Sequence, residues 1–142
     1  MSDAIYAHGT LLKIGDGGSP ENFTTIAEVR DITLPHLSLD TVDVTTHDSG
    51  GWREFIGGIK AGGDVTFDIN FIPTETTHSY SSGLIKDLVN KTKRNFKVVF
   101  PDTGNTTWSF TALVTDFTPK APVAGSLSAS VTLKITGQPT LA

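Results

Sequence analysis

Apolar and polar residues alternate with a period of two along most of this chain, the spacing that puts one set of side chains on each face of a half-buried strand. The pattern is cleanest over residues 126–136. There Leu127, Ala129, Val131, Leu133 and Ile135 share one side, and Ser126, Ser128, Ser130, Thr132, Lys134 and Thr136 the other. Residues 64–72 set Val65, Phe67, Ile69 and Phe71 against Asp64, Thr66, Asp68 and Asn70, and Pro73 closes the run. Residues 106–117 set Trp108, Phe110, Ala112 and Val114 against Thr107, Ser109, Thr111 and Thr115. Further strands are predicted over 9–15, over 23–34 up to Pro35, and over 96–100 up to Pro101, with GDGGSPEN a turn between the first two. A strand over 37–46 changes parity near Asp40–Val42, where the apolar set passes from Leu37 and Leu39 to Val42 and Val44. A slip of that kind marks a β-bulge or a move between sheets.

One stretch has a different period. Leu84, Ile85, Leu88 and Val89 make an apolar stripe at helical spacing, which predicts a helix over about 80–92. Ser79, Ser81 or Ser82 can supply its N-cap oxygen, and Lys91, Lys93 and Arg94 fall where the helix dipole favours cations. The fold class is therefore all-β with one helix: two packed antiparallel sheets, as a sandwich or barrel, flanked by the α-helix. A single domain is expected over 1–142.

Composition narrows the function. The chain has 142 residues and no cysteine, which excludes disulfides, thiolate metal sites and a Cys nucleophile. No apolar run approaches the length of a membrane span. The opening MSDAIYAHGT has neither the basic start nor the apolar stretch of a signal peptide, so synthesis in the cytosol is expected. The net charge of −4 argues against electrostatic binding of nucleic acid. That charge is uneven. Residues 86–97 hold Lys86, Lys91, Lys93, Arg94 and Lys97 against Asp87, which leaves 6 basic and 14 acidic residues elsewhere, a balance of −8.

Residues 45–63, TTHDSGGWREFIGGIKAGG, fit no core strand. They carry three Gly-Gly pairs together with Trp52, Phe55, Ile56 and Ile59. Connections this long are functional or disordered more often than they are plain links. The segment either folds back onto its own core or, as we expect, is a loop ordered by another chain, because exposed apolar area marks interaction surfaces. Trp and Arg are enriched at binding hot spots, and Trp52 and Arg53 are adjacent.

The string DVTTHDSGGWREFIGGIKAGGDVTFDINFIP, residues 43–73, resembles the signature of the major tail tube proteins of long, non-contractile-tailed bacteriophages. Asp48, Ser49, Gly51, Trp52, Arg53, Glu54, Phe55, Ile56, Gly58, Ile59, Lys60, Gly62 and Gly63 match its loop, and Asp64 and Pro73 bound the strand that follows. Gly57 and Ala61 depart from the residues most frequent there. SLSASVTLKITGQPTL, residues 126–141, is similar to the family's last strand. The resemblance covers nearly the whole chain.

That resemblance implies a structural subunit with no catalytic, cofactor or metal site. It also implies six copies per ring, one sheet of each joining a continuous barrel around a lumen. Rings stack into the tail tube, and the loop reaches the next ring through Trp52, Arg53, Glu54, Phe55, Ile56 and Ile59. Other tail proteins (tape measure, tail tip, terminator) are implied partners, and DNA passes through the lumen without specific binding. A barrel of about 24 strands has a backbone diameter of about 48 Å, so side chains leave about 38 Å. A duplex about 20 Å wide passes through that. Such a wall should not hold phosphates. The polar faces Asp64, Thr66, Asp68, Asn70 and Thr107, Ser109, Thr111 are the candidates for it, though the same residues suit an ordinary solvent face.

Catalytic patterns are missing. His8, His36, His47 and His78 are scattered, and adjacent His47, Asp48 and Ser49 point apart on an extended segment. Asp64 and Asp68 lie about 13 Å apart at strand rise, too far for a glycosidase pair. A carbohydrate- or receptor-binding β-sandwich is the competing reading; it would set aromatics on a rigid concave face.

Overall fold

The two longest alternating segments form the centre of the fold. In this computed structural model, which describes residues 2–142 and leaves only Met1 of the expected 1–142 domain outside, β8 (Thr107–Lys120) and β9 (Ser128–Leu141) pair as an antiparallel hairpin. Three strands add on the β8 side: β7 (Lys93–Val99), β1 (Leu11–Gly15) and β2 (Phe23–Thr25). Two add on the β9 side: β6 (Asp64–Asn70) and β3 (Val29–Thr33). The seven strands form one continuous sheet, and all six neighbouring pairs run antiparallel. A separate two-stranded sheet, β4 (Ser38–Asp43) with β5 (Phe55–Ala61), makes the rest of the all-β architecture.

β8 serves both halves of the large sheet. Its residues 107–113 pair with β7, while Leu113–Lys120 face the portion of β9 that carries β6. Register shifts between Ser109 and Thr111 and between Val114 and Asp116 fall at this handover, where bulges increase bend and twist.

The expected strand over 23–34 is two strands, and they lie on opposite edges of the sheet. The Ile26 amide donates to the Leu12 carbonyl at 2.9 Å, whereas the Asn70 amide donates to the Glu28 carbonyl at 2.9 Å. Four Cα steps, at most about 14 Å, thus join the two edges. The sheet is rolled around its core without closing into a barrel. The step has neither Gly nor Pro to announce it; Glu28 itself takes the left-handed conformation, φ 58°.

His78 seals this step. Its Nε2 lies 2.7 Å from the Ala27 carbonyl, and its Nδ1 accepts the Ile72 amide at 3.3 Å. With Nδ1 accepting from Ile72, Nε2 is the nitrogen that donates to Ala27. Thr77 Oγ1 accepts the Ala27 amide at 3.2 Å, so Ala27, at the middle of the crossing, has both its backbone polar groups satisfied. Inside the roll, Phe67, Phe96, Leu133, Val131, Ile69 and Leu12 are fully buried. Phe96 and Phe110 stack with ring centroids 5.8 Å apart.

The helix is shorter than its apolar stripe suggested. α1 spans Leu84–Val89, starts at Gly83 and has no side-chain cap. The expected serine cap is not made, because Ser79 and Ser82 bond each other, 2.8 Å apart, in the turn before it. A Cβ on Gly83 would meet backbone at 2.5 Å, which is why glycine stands there. Lys93 and Arg94 belong to β7 rather than the helix end. Arg94 reaches back to Asp87 of α1 at 3.1 Å, tying the helix to the sheet. Asp87 is buried, and burial raises its carboxyl above the ordinary 3.8 even though Arg94 pulls the other way.

Candidate functional site

Residues 45–63 are corrected by the structure. Only the connection between Asp43 and Phe55 remains a loop; Phe55–Ala61 is a strand, and with β4 it forms an arm standing off the rolled sheet. A register shift does fall near the parity change expected at Asp40–Val42, between Leu39 and Thr41, but its extra residue is on β5: Leu39 pairs with Lys60 and Thr41 with Gly57. No second sheet covers the arm, and its apolar side chains stay exposed: Leu39, Val42, Phe55, Ile56 and Ile59, the last at 79%. The segment does not fold back into the core.

The arm tip is built by local hydrogen bonds. Residues His47–Ser49 make one 3-10 turn capped at Thr46. Thr46 Oγ1 accepts the Asp48 amide at 3.3 Å, and the Thr46 amide donates to Ser49 Oγ at 3.0 Å. Ser49 Oγ donates to Glu54 at 2.8 Å, and the Glu54 amide donates to Thr45 Oγ1 at 2.8 Å. Gly50 and Gly51 follow with φ 67° and 85°, a reversal that a side chain would strain. Trp52 emerges from this turn 79% exposed. Arg53 is held by Asp43 at 3.1 Å. The Thr45 hydroxyl and amide, and then Arg53, keep the Asp43 carboxyl below its ordinary value. Trp52, Arg53, Glu54, Phe55, Ile56 and Ile59, the residues expected to act together, therefore all stand on this one projection.

The base of the arm is fixed by close approach. A Cβ on Gly62 would fall 2.8 Å from Ile135 Cγ2, and one on Gly63, φ 71°, would fall 2.5 Å from the His36 carbonyl oxygen. The Ile135 amide donates to the Gly63 carbonyl at 3.1 Å. The third Gly-Gly pair thus pins the arm to β9 and sets its direction.

The second group of expected residues lies on the outer face of the sheet. Asp64, Thr66, Asp68 and Asn70 alternate with buried Val65, Phe67 and Ile69 and adjoin Lys134, Thr132, Ser130 and Ser128 of β9. The carboxylates are not free: Lys134 Nζ is 3.9 Å from Asp64, and Ser130 Oγ donates to Asp68 at 2.8 Å. Thr107, Ser109 and Thr111 occupy the part of the face that β7 shares. Ser109 is opposite Lys97, Thr111 opposite Asn95, and Lys97 is in turn opposite Lys13 of β1. The two sets are diagonally offset, and the basic segment flanks only the second. Sequence reading missed this division because it depends on which strands become neighbours. Among the described residues, no three His, Asp or Glu side chains gather as metal ligands, and no helix is long and apolar enough to cross a membrane.

Residues 5–142 match the model of the lambda phage tail tube protein family. Solved structures of several tail and injection-system tubes share the fold. A chain in the tail of an empty gene transfer agent particle, refined with C6 helical symmetry, is 23% identical with a TM-score of 0.78, covering 98% of this chain and 99% of that one. The SPP1 tail tube is 9% identical with a TM-score of 0.71, covering 97% of this chain and 78% of that one. A chain of an extracellular contractile injection system sheath–tube complex is 15% identical with a TM-score of 0.71, covering 100% and 93%. No curated protein matches the chain.

Proposed function

The chain belongs to the lambda phage tail tube protein family and is a structural subunit of the virion tail; from that premise we propose that it polymerises as stacked hexameric rings whose lumen conducts DNA into the host. The observation that carries this is the arm. Trp52 and Ile59, each 79% exposed, with Phe55 and Ile56 more than half exposed, form an apolar surface that a lone subunit leaves in water. Burying each such side chain against a second copy is worth roughly 1.5–3 kcal/mol, and a six-fold ring repeats the gain at every position. The C6 symmetry of the gene transfer agent tail supports the six-fold reading. Trp52, Arg53, Glu54, Phe55, Ile56 and Ile59 make the contact between rings in this reading. The chain is made in the host cytoplasm, performs no catalysis, needs no cofactor, and ends its tube on other tail proteins.

The charge pattern favours Asp64, Thr66, Asp68 and Asn70 as lumen wall. Phosphates sliding past carboxylates and short hydroxyls find little to hold them. Thr107, Ser109 and Thr111 would join that wall only with Lys13, Lys93 and Lys97 beside them, so they are the weaker part of the set. Negative-stain microscopy of the purified chain at high concentration tests the assembly. Tubes of stacked rings are the expected image; single chains at every concentration and salt would contradict it.

A further inference from the structure

A cleft of ≈ 740 Å³ opens where the arm meets the rolled sheet. Leu37 and Leu39 line one side, Ile135 and Pro139 of β9 the other, and Lys60 and Lys134 are its only charged residues. Leu37 and Leu39 are more than half exposed, so the cleft is apolar, open and positively charged. We propose that it receives the arm tip of a second copy of this chain, Trp52 seated among Leu37, Leu39 and Pro139, with Asp48 and Glu54 facing Lys60 and Lys134. The proposal rests on the reading above that the arm is an assembly element, and it supplies the surface that the arm meets.

Three observations select this occupant. Charge is the first. At the tip Arg53 is already matched by Asp43, which leaves Asp48 and Glu54 as a balance of two negative charges; in the cleft Lys134 is shared with Asp64 at 3.9 Å, which leaves Lys60 as the lysine open to them. Complementary potentials of this kind fix register and speed association. Preorganisation is the second: the Thr46, Ser49 and Glu54 hydrogen bonds hold the turn that presents Trp52, so little ordering remains for docking. Reach is the third. The seven residues of β5 separate tip from cleft by about 24 Å at strand rise, so a tip cannot enter the cleft at the base of its own arm. Tip and cleft are different surfaces of one molecule, which makes the contact heterologous, and a heterologous contact that does not close propagates. Each seated tip would leave a free tip or cleft for the next ring. The other large cleft, ≈ 750 Å³ between the N-terminal segment and β3, carries Arg30 and Asp31 together and offers no such match.

The absence of cysteine makes the contact directly testable. His47→Cys places a thiol on the tip and Gln138→Cys one at the cleft, both at exposed positions. Tubes grown from an equal mixture of the two single variants should yield covalent dimers with a short bismaleimide, and unassembled subunits should not. In a second arm, Lys60→Glu or Asp48→Lys should each slow tube elongation about tenfold, with the thermal unfolding midpoint unchanged, and the two together in one chain should restore it. Tubes that form normally but give no cross-link, with the Gln138→Cys thiol still open to maleimide along their length, would overturn the proposal and leave the assembly reading standing. Wild-type chain that never forms tubes would remove the assembly reading itself.

Discussion

β5 and β6 are seven-residue strands separated only by Gly62 and Gly63, yet they lead opposite lives. On β6, Val65, Phe67 and Ile69 are at most 2% exposed; on β5, Phe55, Ile56 and Ile59 are at least 54% exposed. Apolar content does not explain the difference. β6 lies between β9 and β3 and turns one face to the interior of the rolled sheet, whereas β5 has β4 as its single partner and no layer over it. An isolated two-stranded hairpin is marginal in water. The arm therefore carries little of the stability of the subunit, and its apolar side chains are available to a partner.

The largest effect expected from this contrast is on the buried strand. Phe67→Ala should cost about 3–5 kcal/mol through lost burial and a cavity, read as a fall in the urea midpoint. Phe55→Ala should change the unfolding free energy by less than about 0.5 kcal/mol, as exposed substitutions do, while abolishing tubes in the microscope. A Phe55→Ala chain that unfolds as readily as Phe67→Ala would assign the arm to the subunit core and break the comparison.

The ion pairs of the two regions should differ in the same direction. Arg94→Met leaves the Asp87 carboxylate buried without its cation and should cost about 2 kcal/mol at pH 7, on the low side because the Arg94 side chain is 23% exposed. Arg53→Met on the arm should leave the unfolding midpoint where it is, because that pair is solvated. The pH dependence sharpens the point. Burial puts the folded Asp87 carboxyl above 3.8. The stability tied to its neutral form is thus present below that value and falls as pH rises through the folded pKa. Arg94→Met should accordingly recover part of its loss as pH is lowered from 7 toward the folded pKa of Asp87, above 3.8. Asp102, lowered by the Thr106 hydroxyl and amide, works the other way: its contribution is present above 3.8 and disappears as acid protonates it.

The body was largely legible in the sequence and the arm was not. Val65–Ile69 and Ala129–Ile135 alternate because one face is buried, and burial is what a period of two records. The parity slip read in β4 has no such basis, since β4 is exposed along its length and the register shift beside it puts the extra residue on β5. β5 left no such trace. With no buried face its residues need not alternate, and Gly57 and Gly58 at its centre read as loop. The step at Ile26–Glu28 was hidden because a left-handed Glu28 has no compositional mark. The tip residues could be named from their chemistry and from the resemblance. That Lys60 and Lys134 share a cleft depends on Gly63 pinning β5 to β9, a long-range contact outside local pattern.

The smallest effect on folding, with the largest expected consequence in the virion, is on the outer face of β6. Asp64→Lys with Asp68→Lys should leave the subunit folded, since both side chains point to solvent, and tubes should still form. Particles carrying the double change should eject DNA more slowly, because twelve added lysines per ring of six would hold phosphates along the wall, a loss that eases with salt. Unaltered ejection kinetics would place this face outside the lumen.

Hydrogen exchange on free subunits and on finished tubes tests the central claim most directly. The arm amides of Phe55–Ala61 should exchange quickly in the free subunit, where one hairpin partner protects them poorly, and slowly in tubes. The amides of Val65–Ile69 should be slow in both. Equal protection of the arm in the two states would contradict the assignment of the arm as the element through which this chain assembles.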